Sequence, residues 1–191
     1  MSLVNALYNL QLMKIAGENG VAAYGAVMYV NFIFVATFLG YAIGCAPVIS
    51  YHYGAGNHAE LKNLYKKSMS IILVWGVILF GAAQLLAPVL SKIFVGLYAM
   101  TLHGFRVYAI AFLIIGINIF GSSFFTALNN GLISAVISFL RTLMFQVIMV
   151  LTLPLWFGIN GIWSAISVAE ALTLIMTTTF FVRQKDKYHY L

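Results

Sequence analysis

From Val107 to Leu140 the chain carries no charged side chain, and three further stretches match it: Asn19 to Tyr51, Ser68 to Ser91 and Thr142 to Ala169. A helix rises about 1.5 Å per residue, so a bilayer core of roughly 30 Å needs about 20 apolar residues in a row. Each stretch meets that length, and a water-soluble fold of this size could not hide so much apolar chain. The expected fold class is all-α, a polytopic transmembrane helical bundle, and function has to be argued as membrane function.

Composition agrees. Hydrophobic residues make up 63% of the chain and charged residues 7%, against about 25% charged in soluble domains. The net charge of +6 does not point to nucleic acid, because the basic residues lie scattered at the ends of apolar runs, where they act as topology determinants. Cys45 is the single cysteine, so an internal disulfide is excluded and it reads as a small packing residue. The N-terminus lacks the basic n-region of a cleavable signal peptide.

Turn chemistry divides the chain into six helical segments over about residues 3–15, 20–47, 68–87, 102–128, 132–153 and 159–182. The first is too short to cross a bilayer and reads as the second half of a helix. Gly40 and Gly44 have the spacing that lets a second helix approach closely. Residues 50–67 form the longest polar segment, read as a short amphipathic surface helix. Asn57 is a candidate N-cap, with Glu60 at capping-box spacing. Pro88 ends the third helix, Val89 to Met100 connects, Asn129-Asn130-Gly131 turns, and Pro154 ends the fifth. The loop at 50–67 and the tail at 183–191 fall on one side and hold six of the ten Lys and Arg. The positive-inside rule places both in the cytoplasm. Trp156 and Trp163 flank the last outer turn as interfacial aromatics.

Of the four acidic residues, Glu170 alone sits deep within a span, twelve residues after Gly158 and twelve before Val182. An ionised carboxylate there costs at least a few kcal/mol; it must be paired, protonated or facing a wet cavity. Ser167, Thr173 and Thr177 project within about 60° of it on the same helix. The functional reading is a proton- or cation-linked site; the bland one is a neutral Glu bonded to a neighbouring helix. Arg141 is expected to snorkel to the cytoplasmic surface, with pairing to Glu170 as the alternative. Asn118 and Ser122, four apart, either line a cavity or bond across helices; Gln84 and Gln146 read the same way. His52, His58, His103 and His189 lack ligand spacing, and no phosphate-binding glycine loop or nucleophile set occurs. No enzyme chemistry and no cofactor are expected.

The order Tyr24-Gly25-x-x-Met28-Tyr29, Gly40 to Pro47, then Ser50-Tyr51-x-Tyr53-Gly54-Ala55-Gly56-Asn57 resembles the carboxy-terminal half of MATE family multidrug efflux transporters, closest to the branch with the MepA-like and DinF-like proteins. Leu153-Pro154-Leu155-Trp156-Phe157-Gly158-Ile159-Asn160-Gly161-Ile162-Trp163, followed by Ala169-Glu170, resembles the connection into that family's last helix.

The resemblance implies twelve helices in two six-helix lobes related by a pseudo-two-fold axis along the membrane normal. This chain would be the second lobe, with about five complete helices and a first helix in which Met1 falls. The implied activity is antiport of small cationic or aromatic drugs against Na+ or H+ across the plasma membrane, in bacteria the inner membrane. The implied partners are membrane lipid and either the missing N-terminal lobe or a second copy. Family members that couple through the second lobe use acids on its first and fourth helices; here the fourth offers Asn118 instead. The candidate cavity residues are therefore Glu170, Asn118, Ser122, Gln146 and Arg141. Two alternatives stand beside this reading. One is a flippase of lipid-linked precursors, for which Arg141 and Arg106 are the available cations. The other is a truncated or partner-dependent membrane protein that does not transport.

Overall fold

Lipid offers a backbone amide no hydrogen-bond partner, so a span must stay helical until it reaches water. The computed structural model, which describes residues 2–93 and 98–191, follows that rule. Its helices are α1 (Ser2–Gly54), α2 (His58–Ile93), α3 (Tyr98–Ala109), α4 (Phe112–Ala127), α5 (Gly131–Phe139), α6 (Phe145–Phe157) and α7 (Ile159–Tyr188). A π-helical turn, Leu140–Met144, joins α5 to α6. No strand occurs among the described residues. Four of these helical stretches are long and apolar enough to cross a membrane, and a fifth if α3 and α4, bent by 44°, count as one span. The protein is a multi-pass membrane protein.

The first helix is not a single rod. Gly17 has φ 62° and ψ −156°, a conformation essentially restricted to glycine, and the chain reverses there. On a straight helix Tyr8 and Tyr24 would lie about 24 Å apart. Instead their rings stack with centroids 5.0 Å apart, and the Tyr24 hydroxyl donates to Asn5 Oδ1 at 3.3 Å. Residues 2–16 thus fold back as a short arm against residues 18–54, which make the span.

Most boundaries run past the positions read from sequence. Pro88 and Pro154 lie inside α2 and α6. Each removes one donor from the ladder, but ending the helix there would leave several groups unpaired in lipid. The segment 50–67 is not a separate surface helix: α1 continues to Gly54 and α2 starts at His58. Asn57 caps α2, its Oδ1 accepting from the Glu60 N–H at 3.1 Å. Glu60 turns to Asn63, so only half of a capping box forms. Of the connector expected at Val89–Met100, residues 94–97 lie outside the described residues, as does Met1. The turn at Asn129-Asn130 forms, with Asn129 at φ 57° and Asn130 Oδ1 accepting from Ile133 N–H.

Helix α4 is the hub, packing against α1, α2, α5 and α7. Its glycines permit this. A Cβ on Gly116 would overlap Phe38 and Ile72, and one on Gly121 would overlap Thr177. Gly40 and Gly44 have no such neighbour and make no close helix contact among the described residues. Trp156 is 84% exposed, as an interfacial ring should be, but Trp163 is 1% exposed. It lies over Gly104 with its ring 6.4 Å from Tyr24, so it packs the core instead of marking the interface.

The C-terminal end closes on itself. His189 is left-handed at φ 55° and turns Tyr190 back beneath α7. The Tyr190 ring is fully buried, 4.9 Å from Phe124 and 5.1 Å from Tyr65, and its hydroxyl donates to the Phe181 carbonyl at 2.8 Å. Burial pushes that hydroxyl well above the usual tyrosine range, so the phenol stays neutral. Asn130 Nδ2 donates to Tyr188 Oη at 2.9 Å, tying the α4–α5 turn to the same end.

The Leu153 carbonyl stands where a Cβ on Gly161 would go. Gly161→Ala should therefore lower the thermal midpoint of the purified chain, at an overpacking cost of about 1–3 kcal/mol. Gly44→Ala should leave it unchanged or raise it by helix propensity, worth up to about 1 kcal/mol. Tryptophan fluorescence during heating reads both.

Candidate functional site

The deepest carboxylate meets the deepest cation. Glu170, at 0% exposure on α7, accepts from Arg141 Nε at 2.9 Å through Oε1 and at 3.3 Å through Oε2. Asn118 on α4 completes the set: its Nδ2 donates to Glu170 Oε2 at 2.8 Å and to the Glu170 carbonyl at 3.0 Å. Three helical segments converge here, and both carboxylate oxygens are occupied. This is the pairing that an ionised carboxylate needs at membrane depth.

Arg141 does not snorkel to the surface. It sits in the π-helical turn Leu140–Met144, and its side chain is 16% exposed. One extra residue in a helical turn rotates the side chains that follow it, and such turns recur at functional sites. Glu170 is the stronger attraction: with its carboxylate at 2.9 Å, reaching for headgroups would leave a bare charge on α7.

A cavity of about 290 Å³ opens beside the pair, lined by Arg141, Glu170 and Gln146. Its opposite wall comes from α1, where Asn5 and Tyr8 of the short arm face Tyr24 and Asn31 of the long one. The expected cavity residues thus separate. Glu170, Arg141 and Gln146 line it, and Asn118 stands behind Glu170. Ser122 does not reach it. That hydroxyl lies 2.9 Å from Ser134 Oγ and 2.7 Å from Ser138 Oγ, bonding α4 to α5. Of the polar neighbours on α7, Ser167 donates to the Val107 carbonyl at 3.4 Å and Thr173 to its own helix at the Ala169 carbonyl. Gln84 bonds the Arg106 carbonyl at 3.2 Å, away from the site.

The α1 wall was absent from the expected set, though a signal existed. Tyr24, Met28, Asn31 and Val35 recur at helical spacing along one face, and a polar residue repeated within such a stripe marks a face turned to something other than lipid. The short arm gave less, because its Asn5 and Tyr8 join the wall only through the reversal at Gly17. Three buried polar atoms of the site have no partner among the described residues: Tyr8 Oη, Asn31 Oδ1 and Asn118 Oδ1. No group of His, Cys, Asp and Glu suited to a metal occurs among those residues.

A family model described as MatE matches residues 1–152. The chain belongs to the MatE family. Solved MATE structures share its fold. An outward-facing multidrug resistance MATE family transporter of the MOP superfamily superposes with a TM-score of 0.90 at 19% identity, over 100% of this chain and 44% of that one. An inward-facing one gives 0.90 at 19% identity, over 98% and 44%. A MOP superfamily transporter from Pyrococcus furiosus gives 0.87 at 19%, over 97% and 43%. The chain therefore spans less than half the length of the MATE structures it matches, and its fold is that of one MATE lobe. No curated protein matches the chain.

Removing one member of a buried ion pair costs about 3–5 kcal/mol, because the survivor is left uncompensated. Arg141→Ala in this MATE lobe should show that loss in denaturant or thermal unfolding. The double change Arg141→Gln with Glu170→Gln removes both charges and should retain clearly more stability than the single one. Equal losses would mean that the pair does not stabilise as a unit.

Proposed function

We propose that the chain acts as the second lobe of a cation-coupled exporter of small amphipathic molecules, working by alternating access across the plasma membrane. The observation that carries this reading is the Arg141–Glu170–Asn118 constellation, buried at mid-span yet open to a cavity. A structural ion pair does not need a cavity beside it, and a lipid-facing helix does not need a carboxylate. Glu170 is the group proposed to exchange its partner for the coupling ion, H+ or Na+. The opposing lobe is a further stretch of the same protein, another chain or a second copy. The basic tail at residues 183–191 faces the cytoplasm.

The near-equal superposition on outward- and inward-facing MATE structures supports the proposal that the lobe moves as a body. Alternating access then comes from tilting one lobe against the other around the cavity. Transport chemistry of this kind makes and breaks no covalent bond in the cargo, which fits a site of one ion pair, amides and phenols.

The test is efflux of fluorescent amphiphiles of either charge, ethidium among them. The host is an efflux-deficient bacterium expressing the chain together with any coding sequence continuous with it. Efflux should exceed the empty-vector rate and fall to it in Glu170→Gln, at equal expression and membrane insertion. Undiminished efflux in Glu170→Gln would remove that residue from the coupling step.

A further inference from the structure

Polarity in this cavity is unevenly spent. Glu170 has both oxygens occupied, by Arg141 Nε and Asn118 Nδ2. The guanidinium is not used up: both of its hydrogen bonds leave from Nε, and neither terminal nitrogen makes one among the described residues. Arg141 nevertheless lines the cavity and is held there by the π-helical turn and the carboxylate behind it. A guanidinium fixed through Nε presents its two terminal nitrogens as a planar fork, the shape that grips a carboxylate, sulfonate or phosphate through two parallel hydrogen bonds.

The other walls suit the same guest. Tyr8 Oη is buried, lines the cavity and has no partner, so it has a proton to donate. Gln146 adds an amide. Arg141 and Glu170 are the charged groups of the lining; as a pair they carry no net charge, and what remains unspent is hydrogen-bond donors on the guanidinium, while both carboxylate oxygens are occupied. The stacked Tyr8 and Tyr24 rings, with Met28, Val35 and Ile166, offer an apolar surface against which a flat or aliphatic body can lie.

We propose that the free edge of Arg141 binds the oxyanion of a small amphipathic ligand whose apolar body packs on the α1 wall. This rests on the cavity being the ligand-facing part of a transport lobe, and it departs from the cationic substrates implied by the resemblance.

Two fluorophores with one ring system test it. 1-Anilinonaphthalene-8-sulfonate carries a sulfonate; N-phenyl-1-naphthylamine does not. Each is titrated onto the full chain in phosphatidylcholine nanodiscs, with energy transfer from tryptophan as the readout. Arg141→Gln with Glu170→Gln should weaken the sulfonate probe about tenfold or more, the scale of lost charge-assisted hydrogen bonds, and leave the uncharged probe unchanged. Arg141→Lys keeps the charge without the fork and should weaken the sulfonate probe by less; it serves if the double variant does not fold. Sulfonate binding that is insensitive to both variants would overturn the proposal, as would equal weakening of the two probes. Loss of the Arg141-dependent difference in discs containing phosphatidylglycerol would place an anionic lipid headgroup on the same fork, supporting the anion site with lipid as its source; repulsion at the disc surface weakens the sulfonate probe equally in all variants and leaves the difference in place. Binding is read without transport, so a chain that exports nothing still answers the question.

Discussion

A carboxylate with no exposed surface persists in the middle of a membrane helix only if a cation and a donor come to meet it. In this chain the cation is Arg141 and the donor is Asn118. Much of the interior is arranged around that demand. Helix α7 must lie close enough to α4 for an asparagine to touch both the Glu170 side chain and its carbonyl. Gly121 on α4 allows that approach one turn further along, where Thr177 and Phe181 occupy the space a Cβ would need. The π-helical turn between α5 and α6 carries Arg141 to the pair, and hydroxyls of Ser122, Ser134 and Ser138 hold α5 to α4 on its other flank.

The fold was legible in the sequence to the extent that it followed from solvent. Uncharged runs long enough for a bilayer gave the helical type of the spans, and Asn57 and the Asn129-Asn130 pair marked two turns between helices. Prolines misled because their effect in water was applied in lipid. Pro88 and Pro154 remove one bond each, but a helix that stopped there would abandon several more. Trp163 misled for a related reason. Its position near an outer turn suited an interfacial anchor, while the small Gly104 opposite made room for the ring inside.

The site was legible only in part because it is tertiary. Depth along one helix singled out Glu170, and depth on others brought in Asn118, Gln146 and Arg141. Which of two roles Arg141 takes depends on the rotation imposed by one π-helical turn, and residues 140–144 carry no distinctive pattern that announces it. Tyr8 and Asn5 depend on a hairpin created by Gly17, a glycine whose φ 62° cannot be read from its neighbours.

The lobe is fastened at its C-terminal end and along its cavity by different means, and both bear on how it could work. At its C-terminal end Tyr65, Phe124, Phe181, Tyr188 and Tyr190 form one aromatic knot, closed by the Tyr190 hydroxyl and by Asn130. This knot joins α2, α4 and α7 at one end of the lobe. The cavity's other wall is tied differently. Its short arm, residues 2–16, turns at Gly17 onto the long arm, meets it through the Tyr8–Tyr24 stack and the Tyr24–Asn5 hydrogen bond, and buries Val4, Tyr8 and Leu12 in the core. Three buried side chains make this arm part of the packed interior, where a shift of one element is felt by its neighbours. Both walls of the cavity thus belong to one packed interior, which is what a lobe that tilts as a unit requires.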